Sequence, residues 1–325
     1  MRSDLVGAVR ATLARAGFRL SESADARPVT FDVIARRDER LLIVKVLTNV
    51  DSLSEALADE MKVLARFLGA TPLLVGERSS SRELEDGAMY QRHGINILTL
   101  GTLGEVVEDG VEPLVYAAPG GFYVNLDGVA LRRLREARGL SLGQLAEVAG
   151  VSRRAIAMYE EGMAAMVDVA AKLEDFLAEP LVKPLDPFAK RGEEGAPSRE
   201  AVVDLERLQA GFEREALSLM AGIGFRVAPL GRLPFNAVAR ENAEPSNQAA
   251  ILAGVVPKGA DARPRAAALA DLADVTLATG VFIVERRTTR LSIEGTAIVG
   301  RDELAKLDGP TEFAELLKER RGRTR

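Results

Sequence analysis

The chain contains no cysteine and no tryptophan, and its only histidine is His93. Without cysteine there are no disulfides and no thiolate metal sites. One histidine is too few for an imidazole metal centre and a poor basis for a Ser-His pair. Aromatic residues make up 5% of the sequence, which argues against a single-strand binder that stacks bases on rings. No apolar run reaches the ~18 residues of a membrane span, and the N-terminal stretch lacks the charged-then-apolar pattern of a secretory signal. Positive charge is not in excess: the formal net charge is −5. That excludes a general polyanion binder and confines any nucleic-acid contact to a local basic face. These absences predict a soluble cytoplasmic protein with no metal, cofactor or membrane partner.

Apolar residues make up 47% of 325, enough for two or three cores. Pro119, Gly120 and Gly121 interrupt one stretch, and residues 179–200 carry four prolines and a run of charge. Linkers are therefore predicted over 111–125 and 182–200, with domains over 1–110, 126–181 and 201–325. In the first domain Leu5, Val9, Leu13 and Ala16 recur at helical spacing until Gly17. Apolar runs of strand type cover 30–37 and 40–47, followed by a helix over 53–69 and a strand over 71–78. A helical stretch and a short strand over 95–100 complete an α/β pattern.

The third segment repeats this plan in order. "VTFDVIARR" is matched by "LPFNAVARE", and "AGFRL" by "GIGFRV". Gly-Phe-Arg and Phe-x-x-(Val/Ile)-Ala-Arg recur in register, so the two α/β domains read as an internal duplication.

The middle segment is helical throughout. "VALRRLREARG" sets Leu131 and Leu134 on one face. Ser141 suits the N-cap of "LGQLAEVA" and Ser152 that of "RRAIAMYE", since a hydroxyl accepts from an orphan N–H. Gly150 suits a left-handed turn between them. Ala155, Ile156 and Tyr159 form the buried stripe of the second helix, leaving Arg153, Arg154, Ala157 and Met158 on other faces. Glu160 is expected to pair with an arginine of the bundle.

The stretch "LRRLREARGLSLGQLAEVAGVSRRAIAMYEEG" resembles the helix-turn-helix of Cro/C1-type repressors over residues 126–181. The features that match include Leu145, Ala146, Gly150, Val151, Ile156 and Tyr159, which would hold the two helices together. The resemblance implies a four- to five-helix bundle whose second motif helix enters the major groove of double-stranded DNA. Ser152, Arg153, Arg154, Ala157 and Met158 would then face the DNA, and Gln144 would reach the backbone. Leu142 departs from the pattern, because such domains often carry a phosphate-anchoring Gln there.

The first domain also resembles restriction-endonuclease-like folds, in which one strand bears Asp and the next Glu-x-Lys. Asp32 and Lys45 take two of those places, but Ile43 stands where the Glu would be. In the second copy Asn236 replaces Asp32, and Ala253 falls roughly at Lys45. A two-carboxylate Mg²⁺ site is visible in neither copy, so the pair is degenerate and no catalytic activity is expected. The order of domains is similar to that of an archaeal family of Cro/C1-type transcriptional regulators. The expectation is a transcriptional regulator acting as a homodimer on DNA, with any effector unspecified. A Mg²⁺-dependent nuclease and a protein-interaction scaffold are the alternatives.

Overall fold

Leu5, Val9 and Leu13 bury one side of helix α1 (Arg2–Arg15), which opens an alternation of strands and helices in the computed structural model. The structure describes residues 2–22, 30–80, 82–189, 205, 208–231, 233–242, 249–286 and 289–321. After α1 come β1 (Arg19–Leu20), β2 (Val33–Arg37), β3 (Arg40–Asn49), α2 (Glu55–Leu68), β4 (Thr71–Ser79), β5 (Arg82–Glu83), β6 (Ala88–Arg92), β7 (Ile95–Leu98) and α3 (Leu100–Gly104). The middle holds β8 (Val115–Ala118), β9 (Gly121–Leu126), α4 (Gly128–Ala137), α5 (Leu142–Ala149), α6 (Arg153–Glu160), β10 (Ala165–Met166), α7 (Val167–Leu177) and β11 (Val182–Lys183). The last third holds α8 (Phe212–Gly222), β12 (Phe225–Pro229), β13 (Ala237–Glu241), β14 (Ile251–Val256), α9 (Arg263–Thr276), β15 (Thr279–Val284), β16 (Ser292–Ile293), β17 (Thr296–Gly300), α10 (Arg301–Leu304) and α11 (Pro310–Arg321).

Among the described residues the first sheet runs β1-β2-β3-β4-β7-β6-β8-β9-β10, and the second runs β12-β13-β14-β15-β17-β16. The first six places of one follow the same order as the six of the other. Both begin with three antiparallel strands, and both contain a tight hairpin, β6–β7 and β16–β17. The hairpin turns are His93-Gly94 and Glu294-Gly295, with φ of 47° and 78° in one and 48° and 75° in the other. Two successive positive φ values are what a two-residue hairpin turn of matching twist requires. The helix after the third strand spans fourteen residues in both, α2 and α9. Its left-handed C-cap is Gly69 in the first and the exposed Leu277 in the second.

Three expectations are corrected here. The stretch over 111–125 is the hairpin β8–β9, joined to the sheet through the parallel pair β6–β8. Pro119 to Gly121 make its turn, and the Val, Tyr and Phe on either side make its strands, with Tyr116 and Tyr123 stacked at 6.0 Å. The stretch over 182–200 begins as β11, which pairs with β9, and then buries Leu185 and Phe188. Its residues 190–200 lie outside those described. The helical stretch expected before β7 is β6 instead, since the His93-Gly94 turn folds it onto β7.

The chain divides into two compact units, residues 1–12, 47–52 and 74–189, and residues 13–46, 53–73 and 190–325. This differs from the three consecutive domains expected. In the first unit the four helices α4 to α7 share a core with β9, including Val124, Leu126, Leu131, Ile156 and Leu173. In the second, the core of α8, α11 and strands β12 to β15 and β17 includes Leu217, Phe225, Ile251, Ile283 and Phe313. There α9 packs on β2, and α2 on β13.

Candidate nucleic-acid interface

Ser141 caps α5 by accepting a hydrogen bond from the Gln144 N–H at 3.2 Å, while the Gln144 side-chain carbonyl accepts from the Ser141 N–H at 2.8 Å. This reciprocal box fixes where the helix starts. Gln144 thus spends its oxygen on the cap, and its amide NH₂ is the group that can meet a phosphate. Helix α5 ends at Gly150, whose φ of 70° is left-handed. The Val151 N–H returns to the Ala146 carbonyl at 3.0 Å, and the chain turns directly into α6. Ser152 caps α6 by accepting from the Ala155 N–H at 3.1 Å.

Packing sets the orientation of the two helices. Leu145, Ala146, Ile156 and Tyr159 are buried together, and Val151 packs against their edge. Gly128 permits a closer approach elsewhere in the bundle. A Cβ on it would lie 2.5 Å from the Glu160 carbonyl oxygen and 2.6 Å from that of Tyr159. With this frame fixed, Ser152, Arg153, Arg154 and Met158 are exposed and Ala157 is half-buried.

The arginines of the bundle divide by what they touch. Glu160 is 7% exposed and accepts from Arg132 Nε at 3.2 Å and from Arg135 Nη2 at 3.0 Å. It also accepts from Arg135 Nε. Burial alone would raise the Glu160 carboxyl, but the hydrogen bonds and charges of Arg135 and Arg132 outweigh it and hold the group below its ordinary value. Arg138 donates to the carbonyls of Phe176 and Leu177, at the end of α7, where a cation meets the negative end of the helix. Arg153 and Arg154 make no ion pair or hydrogen bond among the described residues. The first turn of α6 carries no acidic residue, so both charges add to the positive end of the helix.

Two residues of this face escape the motif. The Lys172 ammonium lies 3.7 Å from where a Cβ on Gly150 would stand, beside the turn. Gly143 leaves room for Arg153, whose Nε would be 2.9 Å from a Cβ there. The Arg153 side chain therefore folds over the first turn of α5. Gly143→Ala is expected to raise stability by up to ~1 kcal/mol through helix propensity while pushing Arg153 off its rest. Urea unfolding and DNA titration of the same variant would show the two effects with opposite sign.

The endonuclease-like positions lie in the second unit. Asp32 accepts from the Val46 N–H at 2.8 Å, and Lys45 Nζ stands 3.4 Å from its carboxylate. Lys45 is 3% exposed. Asn236 repeats the backbone part of this: it accepts from the Val255 N–H at 2.8 Å, and its own N–H donates to the Ala253 carbonyl as that of Asp32 does to Val44. Those bonds put Gly254, not Ala253, at the place of Lys45. The space is taken by Phe282, 2.6 Å from where a Gly254 Cβ would be. The cation comes instead from Arg265 of α9, which donates to Asn236 Oδ1 at 3.1 Å and to the Val255 carbonyl at 2.9 Å. Among the described residues no group of three or more His, Asp or Glu is placed to hold a metal ion, and no helix is long and apolar enough to cross a membrane.

Comparison with known proteins agrees with both parts. Residues 2–113 match the PD-(D/E)XK superfamily domain, and residues 131–183 match a helix-turn-helix family. No solved structure matches the chain. Curated relatives carry the name "Putative HTH-type transcriptional regulatory protein". One from Halobacterium salinarum is 40% identical over 98% of this chain and 98% of its own. One from Haloquadratum walsbyi is 39% identical over 98% and 97%, and one from Methanocella arvoryzae is 38% identical over 98% and 97%. Similarity of this extent, along the whole length of both chains, places the protein in the family of HTH-type transcriptional regulatory proteins that these archaeal relatives represent.

Proposed function

We propose that the chain is a sequence-specific DNA-binding transcriptional regulator of the cytoplasm, reading the major groove with α6. The observation that carries this is Arg153 and Arg154. They are exposed at the positive end of α6, while Arg132 and Arg135 are committed to Glu160 and Arg138 to the end of α7. An arginine so placed can donate bidentately to O6 and N7 of guanine, while Ser152 and the first N–H groups of α6 suit a phosphate. Gln144 and Lys172 flank this surface and would position it on the backbone.

The two α/β segments are, in this reading, copies of one ancestral endonuclease-like domain kept as a scaffold. Strand order, the paired hairpin turns and the matching bonds of Asp32 and Asn236 support a common origin. Ile43, and the exchange of Lys45 for Gly254 with Phe282 filling its space, support loss of nuclease chemistry. The test is selection of bound fragments from genomic DNA, followed by plasmid incubation with Mg²⁺. Recovery of a common sequence without cleavage is expected. Cleavage abolished by Asp32→Ala would replace this reading with a nuclease. Failure to retain any fragment at any salt concentration would favour a protein-binding scaffold.

A further inference from the structure

The recurring Phe-x-x-(Val/Ile)-Ala-Arg motif ends in Arg36 on β2 and Arg240 on β13. The DNA reading gives neither arginine a role, yet within the second unit both reach a helix end of the other segment, Arg36 with two bonds and Arg240 with one longer contact. Arg36 donates to the carbonyls of Val275 at 2.7 Å and Thr276 at 2.9 Å, the last two residues of α9. Arg240 reaches the carbonyl of Phe67 at 3.5 Å, the last residue but one of α2. Counted from the helix starts, Phe67 and Val275 are equivalent positions. So each motif arginine crosses to the other segment and caps the equivalent helix, whose last carbonyls lack partners within the helix. The helices reciprocate, α9 packing on β2 and α2 on β13. Contacts in which i meets j and j meets i are the mark of an isologous, two-fold interface.

We infer that the two α/β segments form a pseudo-two-fold pair in cis, so that the chain acts as a single protomer and takes an asymmetric DNA element. This rests on the DNA reading proposed above. A homodimer formed through these domains would use the same face twice, once from each chain. Here that face is already filled by the chain's own second segment. The sequence contains one helix-turn-helix, so the pair presents one reading helix where a two-fold dimer would present two. A palindromic operator mirrors two reading helices related by two-fold symmetry. One helix has no such requirement, and the element it selects should lack repeated inverted halves. The sequence alone leads to the expectation of a homodimer, and the two readings differ in the mass of the particle and in the symmetry of the element.

Sedimentation equilibrium of the full chain, alone and with the DNA recovered by selection, tests this. The expected mass is that of one chain, 34.9 kDa, at all protein concentrations, with one chain per element and no inverted repeat in the selected sequences. A two-chain mass without DNA, or two chains on an inverted repeat, would overturn the inference. Hydrogen exchange adds a readout specific to the interface. Arg36→Ala should speed exchange at the end of α9, and Arg240→Ala at the end of α2, each in the segment that does not carry the substitution. Acceleration confined to the substituted strand would count against pairing in cis. Retention of no DNA by a one-chain particle would defeat the DNA reading and the asymmetric element, yet leave the pairing standing.

Discussion

Replacement of Glu160 by alanine is expected to destabilise the helical bundle by about 3–5 kcal/mol, the usual cost of removing one partner from a buried ion pair. The side chain of Glu160 is 3% exposed and that of Arg135 14%, so water cannot take over the role of the carboxylate for Arg135. Arg132 is half-exposed and loses less. Glu160 closes α6 and its partners lie on α4, so the pair fixes the angle between the helix that carries the reading face and the helix that supports it. Glu160→Gln keeps the shape and one acceptor and should fall between wild type and alanine. The same group gives the bundle an acid limit. Its folded carboxyl sits below the ordinary value of 4.5, so its stabilisation is fully present above that value. It is lost as pH falls through the lower folded value. Urea unfolding at neutral pH should therefore separate Glu160→Gln clearly from wild type, and the gap should narrow as the solution is acidified. A gap independent of pH would mean that packing, not charge, explains the loss.

Where chemistry is local, the sequence could be read. Ser141, Gly150 and Ser152 act through their own backbone neighbours, so capping and turn rules placed α5 and α6 without tertiary knowledge. Glu160 could be assigned an arginine because one helix face offered several. The hairpin β8–β9 is not legible locally, because Pro119-Gly120-Gly121 signals a break equally well in a linker and in a turn. What distinguishes them is whether Val115 and Val124 find partners, and β6 and β10 supply those from elsewhere in the chain. The counterpart of Lys45, Gly254 rather than Ala253, is hidden for a related reason. Residues 41–44 of β3 and the whole of β14 are apolar, so side-chain type does not mark the register of one against the other. The bonds of Asp32 and Asn236 to the next strand do. The role of Arg36 and Arg240 needed even longer range. The motif announced that these arginines recur, but their acceptors lie more than a hundred residues away.

The other large expected effect is on binding. Substituting Arg153 and Arg154 together by alanine should leave stability within about 0.5 kcal/mol, because both are exposed and neither is paired. DNA affinity should fall far more, since each contact to a guanine edge is worth ~1–3 kcal/mol. One such contact, from Arg154, is a loss of roughly 5-fold to 150-fold, and the loss of a phosphate contact from Arg153 adds to it. The single variants should differ in kind. Arg153 lies back over Gly143 at the first turn of α5, a position suited to backbone phosphate. Arg153→Ala should weaken all sequences alike and lower the salt slope by about one unit. Arg154 stands one helical turn from Met158, and both are exposed, which in the proposed reading sets them along the groove. Arg154→Ala should relax preference at one base position more than it lowers affinity for random DNA. Titrations against the selected element and a scrambled duplex, each at several salt concentrations, distinguish the two roles. If both single variants lost affinity equally on both duplexes, α6 would be holding the backbone rather than reading bases.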